Sequence, residues 1–140
     1  MPTWIVYAIA SAFFAALTAI FAKLGLKDIN SDLATAIRTA IILVITWSIV
    51  FFRGNSNEIS NLNRNNWIFL VLSAVATGLS WLFYYRALQV GKASEVAIID
   101  KGSLLFTIIL AFIFLKEPMT PRVLVGSGLV FAGLLVTIWK

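Results

Sequence analysis

Neither cysteine nor histidine occurs among the 140 residues. Without cysteine there is no disulfide framework and no thiolate metal site. Without histidine there is no imidazole ligand, no imidazole acid–base catalyst and no Ser–His or Cys–His nucleophilic arrangement. Charge is also scarce, at 12% of residues against about a quarter in soluble domains. No acidic cluster suggests a metal, no motif suggests a cofactor, and one intramembrane Asp with basic neighbours is not a catalytic pair. The reading is therefore not an enzyme.

In place of charge there is apolar bulk: 61% of residues are hydrophobic and the mean hydropathy is +0.96. This is the composition of a membrane protein. The net charge of +5 is then read as basic residues flanking membrane spans and meeting anionic head groups, with no nucleic acid involved. Five apolar runs approach the ~20 residues that a helix needs to cross a bilayer. They cover about Trp4–Ala22, Leu33–Phe52, Trp67–Leu88, Ala93–Leu115 and Val123–Trp139. The runs are continuous rather than alternating, which excludes a barrel. The first is too long for a signal-peptide core and is expected to be a retained span. The expected fold is thus an all-α integral membrane protein, one five-helix domain over 1–140.

Local signals agree. Ser31 and Ser94 stand where N-caps are expected, and Thr120-Pro121 reads as a cap followed by proline at the first helical position. Trp4, Trp67 and Trp139 fall at expected interfaces. The loop 53–66 holds six asparagines, and no loop is long enough for a soluble domain.

Charges inside the spans are costly and need a partner, water or a function. Five spans place the loops after spans one and three on the face of the C-terminus. From that face Arg38 and Asp100 enter to similar depth with opposite sign, so they are expected to pair, with Arg86 as the competing partner of Asp100. Helical spacing groups Asp100, Ser103 and Thr107 on one face, and Thr77, Trp81 and Tyr84 on another. Such polar and aromatic stripes suit a cavity for a small organic molecule, or hydrogen bonds between helices. Lys101 is placed for snorkelling or a direct role. Ala74 with Gly78, and Gly126, Gly128, Ala132 and Gly133 in span five, suit close helix packing within or between protomers.

These segments resemble the repeat unit of EamA-type transporters in the drug/metabolite transporter superfamily. The resemblance rests on Tyr85-Arg86-Ala87-Leu88 at the end of span three and a small polar turn after it. It continues through Leu115-Lys116-Glu117 with Thr120, the glycine-bearing last helix from Gly126, and Phe21, Lys23 and Gly25 of the first. It covers nearly the whole chain. Common members have ten spans in two inverted units; this chain has one, like the half-size branch. Many members have an uncharged, proline-bearing segment in span four, where this chain has Asp100-Lys101-Gly102. The resemblance implies export of a small metabolite across the cell (plasma or inner) membrane.

One face of the five-span arrangement carries four basic residues (Arg53, Arg64, Lys116, Arg122) and the other five (Lys23, Lys27, Arg86, Lys92, Lys140). A difference of one hardly orients the chain. Two copies in opposite orientations would rebuild an inverted repeat, so the expectation is an antiparallel homodimer working by alternating access on a small organic solute. Asp100 is the candidate coupling group and Arg38 its counter-charge or an anchor for an anionic substrate. A small multidrug-type cation exporter ranks lower, because residues 1–22 contain no acid. A non-transporting membrane subunit is the remaining alternative.

Overall fold

The computed structural model describes residues 2–139. Contacts gather the chain into two compact units, Met1–Val90 and Gly91–Lys140. The basic residue Lys140, used in the charge count, lies outside the described residues.

The first unit holds three long helices: α1 (Thr3–Gly25), α2 (Ser31–Phe52) and α3 (Arg64–Val90). Helix α1 stops where Leu26 donates its N–H to Ala22 O at 2.9 Å and Asp28 turns the chain at φ +62°. The cap of α2 is Asn30, one residue before the expected Ser31. Its side-chain oxygen accepts from the N–H groups of Asp32 (2.8 Å) and Leu33 (3.2 Å). An asparagine cap satisfies the orphan donors as well as serine does. Ser31 is instead buried within the helix, and its carbonyl accepts the Thr35 hydroxyl at 2.8 Å. The chain leaves α2 through Gly54 at φ +71°, a left-handed position that suits glycine.

The asparagine-rich loop forms a short 3₁₀ helix (Asn55–Asn61). Asn63 then caps α3 by accepting from Asn66 N at 2.9 Å. This cap lets α3 begin at Arg64, three residues before the apolar run. At ~1.5 Å per residue its 27 residues exceed the ~30 Å hydrocarbon core, so the polar first turn falls outside it.

The end of α3 is tied to the turn between α1 and α2. Lys23 Nζ donates to Leu88 O (2.6 Å), Gln89 Nε2 donates to Ile29 O (2.8 Å), and Arg86 binds Asp32 through two nitrogens (3.2 and 2.9 Å). Leu26, Tyr85 and Leu88 are buried beneath these contacts, and Ala19 lies one turn or two further along α1. The three-span, up-down-up placement read from the sequence requires these ends to meet.

The second unit contains α4 (Ala93–Asp100), α5 (Ser103–Leu110), a widened π turn (Ala111–Leu115) and α6 (Pro121–Ile138). The fourth apolar run is therefore interrupted rather than one continuous helix. Around Lys101-Gly102 the backbone bonds tighten to three-residue steps: Lys101 N to Ile98 O, Gly102 N to Ile99 O, Leu104 N to Lys101 O and Leu105 N to Gly102 O, at 2.9–3.1 Å. A tightened mid-helix turn changes which side chains share a face. A Cβ at Gly102 would stand 3.0 Å from Ile99 O and 3.7 Å from Leu134 of α6, so glycine keeps the turn uncrowded.

Helix α4 begins at Ala93 with no side-chain cap, so Ser94 is not the cap. Lys92 instead pairs with Glu95 at 3.2 Å. Thr120 does cap α6, accepting from Val123 N at 3.4 Å ahead of Pro121.

Five helical stretches are long and apolar enough to cross a bilayer: Thr3–Gly25, Ser31–Phe52, Arg64–Val90, Ala93–Leu115 and Pro121–Ile138. Most of their large apolar side chains are exposed, among them Phe14, Phe52, Phe69 and Phe114. Continuous apolar surface on this scale is what lipid requires and water penalises. The fold is that of an all-α integral membrane protein.

Candidate functional site

The first unit holds an apolar cavity of about 400 Å³. Its walls come from α1 (Thr18, Phe21, Ala22), the following turn (Leu26, Ile29), α2 (Ala34, Ile37, Ile41) and Tyr85 of α3. The one charged residue on its lining is Arg38. Ala34, Arg38 and Ile41–Ile42 recur at helical spacing, so one face of α2 supplies them. The volume lies within the ~300–1,000 Å³ of small-molecule pockets.

Arg38 stands seven residues into α2, about 10 Å from its start at ~1.5 Å per residue. Its guanidinium carbon lies 4.4 Å from the centroid of the Trp81 ring and 5.3 Å from that of Tyr85. Trp81 and Tyr85 are four residues apart on α3 and so share a face. Each ring face is worth about 0.5–2 kcal/mol to a cation, depending on desolvation. Placing arginine at the centre of a membrane helix costs about 2.5–3.5 kcal/mol on insertion scales. Two rings therefore offset much of the cost without neutralising the charge. Within its own unit Arg38 forms no ion pair: of the three acids there, Asp32 is held by Arg86, and Asp28 and Glu58 lie in or beside turns. The planar group carries its N–H donors along its edge.

Sequence reasoning brought Arg38 and Trp81 forward, and the structure places them together. It named Tyr84, whereas the ring that joins Trp81 over Arg38 is Tyr85; the Tyr84 ring stands 6.2 Å from that of Tyr85. A four-residue step from Trp81 would have found Tyr85. Arg86, expected to compete for Asp100, is engaged by Asp32 in a two-pronged pair. Asp32 was missed because it sits at a helix start, where an acid is expected for the dipole alone.

Asp100, Lys101 and Ser103 belong to the second unit, at the interruption between α4 and α5. Asp100 and Lys101 are exposed and form no ion pair or side-chain hydrogen bond with described residues of that unit. The hydroxyls of Thr77 and Thr107 turn back to Ser73 O (2.8 Å) and Ser103 O (2.9 Å) of their own helices, as do those of Thr39, Thr46, Ser48 and Thr137. Such back-bonding satisfies a hydroxyl in an apolar setting. The hydrogen bonds of these hydroxyls stay within their own helices. Of the small residues, Gly78, Gly126, Gly128 and Gly133 have open space where a Cβ would stand. Ala74 and Ala132 lie one turn away from Gly78 and Gly128 on the same helices.

Long apolar helices that expose their side chains, a cavity between them and charges held at depth define a multi-pass membrane transporter. The chain belongs to the EamA-like transporter family, which matches over residues 2–139. It is 44% identical over 134 residues to a protein of Sinorhizobium sp named as an uncharacterized transporter in the cobO 3′ region. That match covers 96% of this chain and 95% of the relative. No solved structure matches.

Proposed function

We propose that the protein is a secondary transporter of the plasma or inner membrane that exports a small organic metabolite by alternating access, as a homodimer. The observation that carries this reading is the apolar cavity with Arg38 in its wall, within a chain of the EamA-like family. The family match across 2–139 supports treating both units as one membrane domain. An interrupted span next to ionisable residues is a recurring feature of transporters, because freed backbone groups and the charge can serve a solute or ion. Asp100 is the coupling group in this reading, with Lys101 and Ser103 in the same turn. Arg38 meets the solute in the wall of the first unit's cavity.

The dimer is antiparallel. One unit of a normally doubled family, nearly balanced basic faces, and helix stripes at Gly78 and Gly126–Gly133 with open space beside them all support it. Counterflow in proteoliposomes, with a labelled metabolite mixture, tests transport: exchange above protein-free vesicles is expected, and its absence for every solute would overturn the reading. C-terminal reporter fusions test orientation. Activity of both a cytoplasmic and a periplasmic reporter is expected, and activity of just one kind rules out dual topology.

A further inference from the structure

The cavity of the first unit has a largely apolar wall and one charge. Besides Arg38 its lining offers the hydroxyls of Thr18 and Tyr85 and is otherwise apolar, so a strongly polar solute would lose most of its water there without replacement. Arg38 offers the opposite. Its guanidinium carbon lies 4.4 Å and 5.3 Å from the Trp81 and Tyr85 ring centroids, and no described carboxylate of its unit pairs with it. A guanidinium carries planar pairs of N–H donors, which a carboxylate accepts with two parallel hydrogen bonds. One cation compensates one negative charge, so a phosphate dianion would carry uncompensated charge into the cavity. A cationic solute would meet repulsion from the Arg38 guanidinium.

We infer that the Arg38 cavity binds a small amphipathic monocarboxylate, its carboxylate on the Arg38 guanidinium and its apolar body against α1 and α2. The inference rests on the transporter reading above and names its substrate class. Arg38 is then a binding residue, with Trp81 and Tyr85 as the residues that position it.

The test uses the full chain in nanodiscs and three labelled probes on one phenylpropyl skeleton: 3-phenylpropionate, its amide and 3-phenylpropylamine. Equilibrium dialysis is expected to show the carboxylate bound at least ~10-fold tighter than either of the others, a difference of about 1.4 kcal/mol. Arg38→Gln removes that preference, while Arg38→Lys keeps part of it as a point charge without the fork. Ala34→Phe, which fills the cavity one turn before Arg38 and keeps its charge, weakens the carboxylate by a similar factor; this holds the test open should Arg38→Gln fail to fold. Equal binding of the three probes, a preference for the amine, or no binding by any overturns the inference. So does a carboxylate preference that survives Arg38→Gln. Proteoliposome exchange separates the two levels. Exchange of neutral or cationic solutes alone keeps the transporter and removes the monocarboxylate. Carboxylate binding with no exchange of any solute keeps the site and removes the transporter.

Discussion

In the α1–α3 unit, Lys23 meets a carbonyl, Asp32 meets Arg86 and Arg38 meets two rings; in the α4–α6 unit, Asp100 and Lys101 form no ion pair or side-chain hydrogen bond with the described residues of their own unit, at a point where the helix tightens. The difference separates two ways of keeping charge in a membrane. The first unit fixes its charges by geometry, which makes a site that can discriminate between solutes. The second leaves a charged pair beside a yielding piece of backbone, which suits a group that changes partner or protonation during a cycle. The function proposed above accordingly gives binding specificity to the first unit and coupling to the second.

The largest effect is expected where that division is attacked directly. Asp100→Asn should abolish uphill accumulation driven by a pH gradient while leaving counterflow measurable, because exchange needs the site but not the coupling proton. Wild-type pH dependence in the variant would move coupling away from the second unit and dissolve the contrast.

Next in size is the loss of the rings. Trp81→Leu frees Arg38 from the nearer face, and at about 1–2 kcal/mol for a desolvated cation–π contact the carboxylate affinity should fall by roughly 5–30-fold. Tyr85→Phe should cost little by comparison, since the ring remains. The measurement is the same dialysis, and equal losses in the two variants would show that the ring faces are not what holds Arg38.

Gly102→Ala addresses the backbone of the second unit. Alanine is a better helix former by about 1 kcal/mol, but its Cβ would meet Ile99 O at 3.0 Å. The two terms oppose each other, so the thermal midpoint should move little. Turnover in counterflow should drop several-fold if the tightened turn changes shape during transport. Unchanged turnover would make the interruption a static feature.

The five spans were legible because lipid selects long apolar runs, and no tertiary detail can hide a run of that length. Span ends were less so. Asn30 caps α2 one residue before the expected Ser31, and Asn63 starts α3 ahead of the apolar run expected from about Trp67, since several neighbouring polar residues could satisfy the same orphan donors and sequence order does not rank them. Arg38 stood out as a charge in hydrocarbon and Trp81 as part of a polar stripe, yet the Tyr85 ring did not, because aromatic residues at helical spacing look the same whether they face lipid or a cation. The hydroxyls of Thr77 and Thr107 return to their own helices, a bond that spacing alone does not distinguish from one between helices. The interruption at Lys101-Gly102 was visible as an odd Asp-Lys-Gly triplet, but hydropathy cannot distinguish a tightened turn from a continuous helix.

The smallest effect is expected at the end of the first unit, where Asp32 and Arg86 join α2 to α3. Both side chains are about half exposed, so water and salt screen the pair, and isolated pairs of this kind contribute little. Asp32→Arg and Arg86→Asp should each lower the thermal midpoint in nanodiscs slightly, more at low salt than at high. The double reversal should recover most of the loss, because the two-pronged geometry is preserved with its signs exchanged. The neighbouring bonds from Lys23 to Leu88 and from Gln89 to Ile29 remain in every variant, which keeps the three helix ends joined and limits the change. Should either single reversal cost more than Trp81→Leu does in binding, the joined ends would control the cavity as well as bound it. The first unit would then carry a moving part of its own, and the assignment of motion to the second unit would have to be shared.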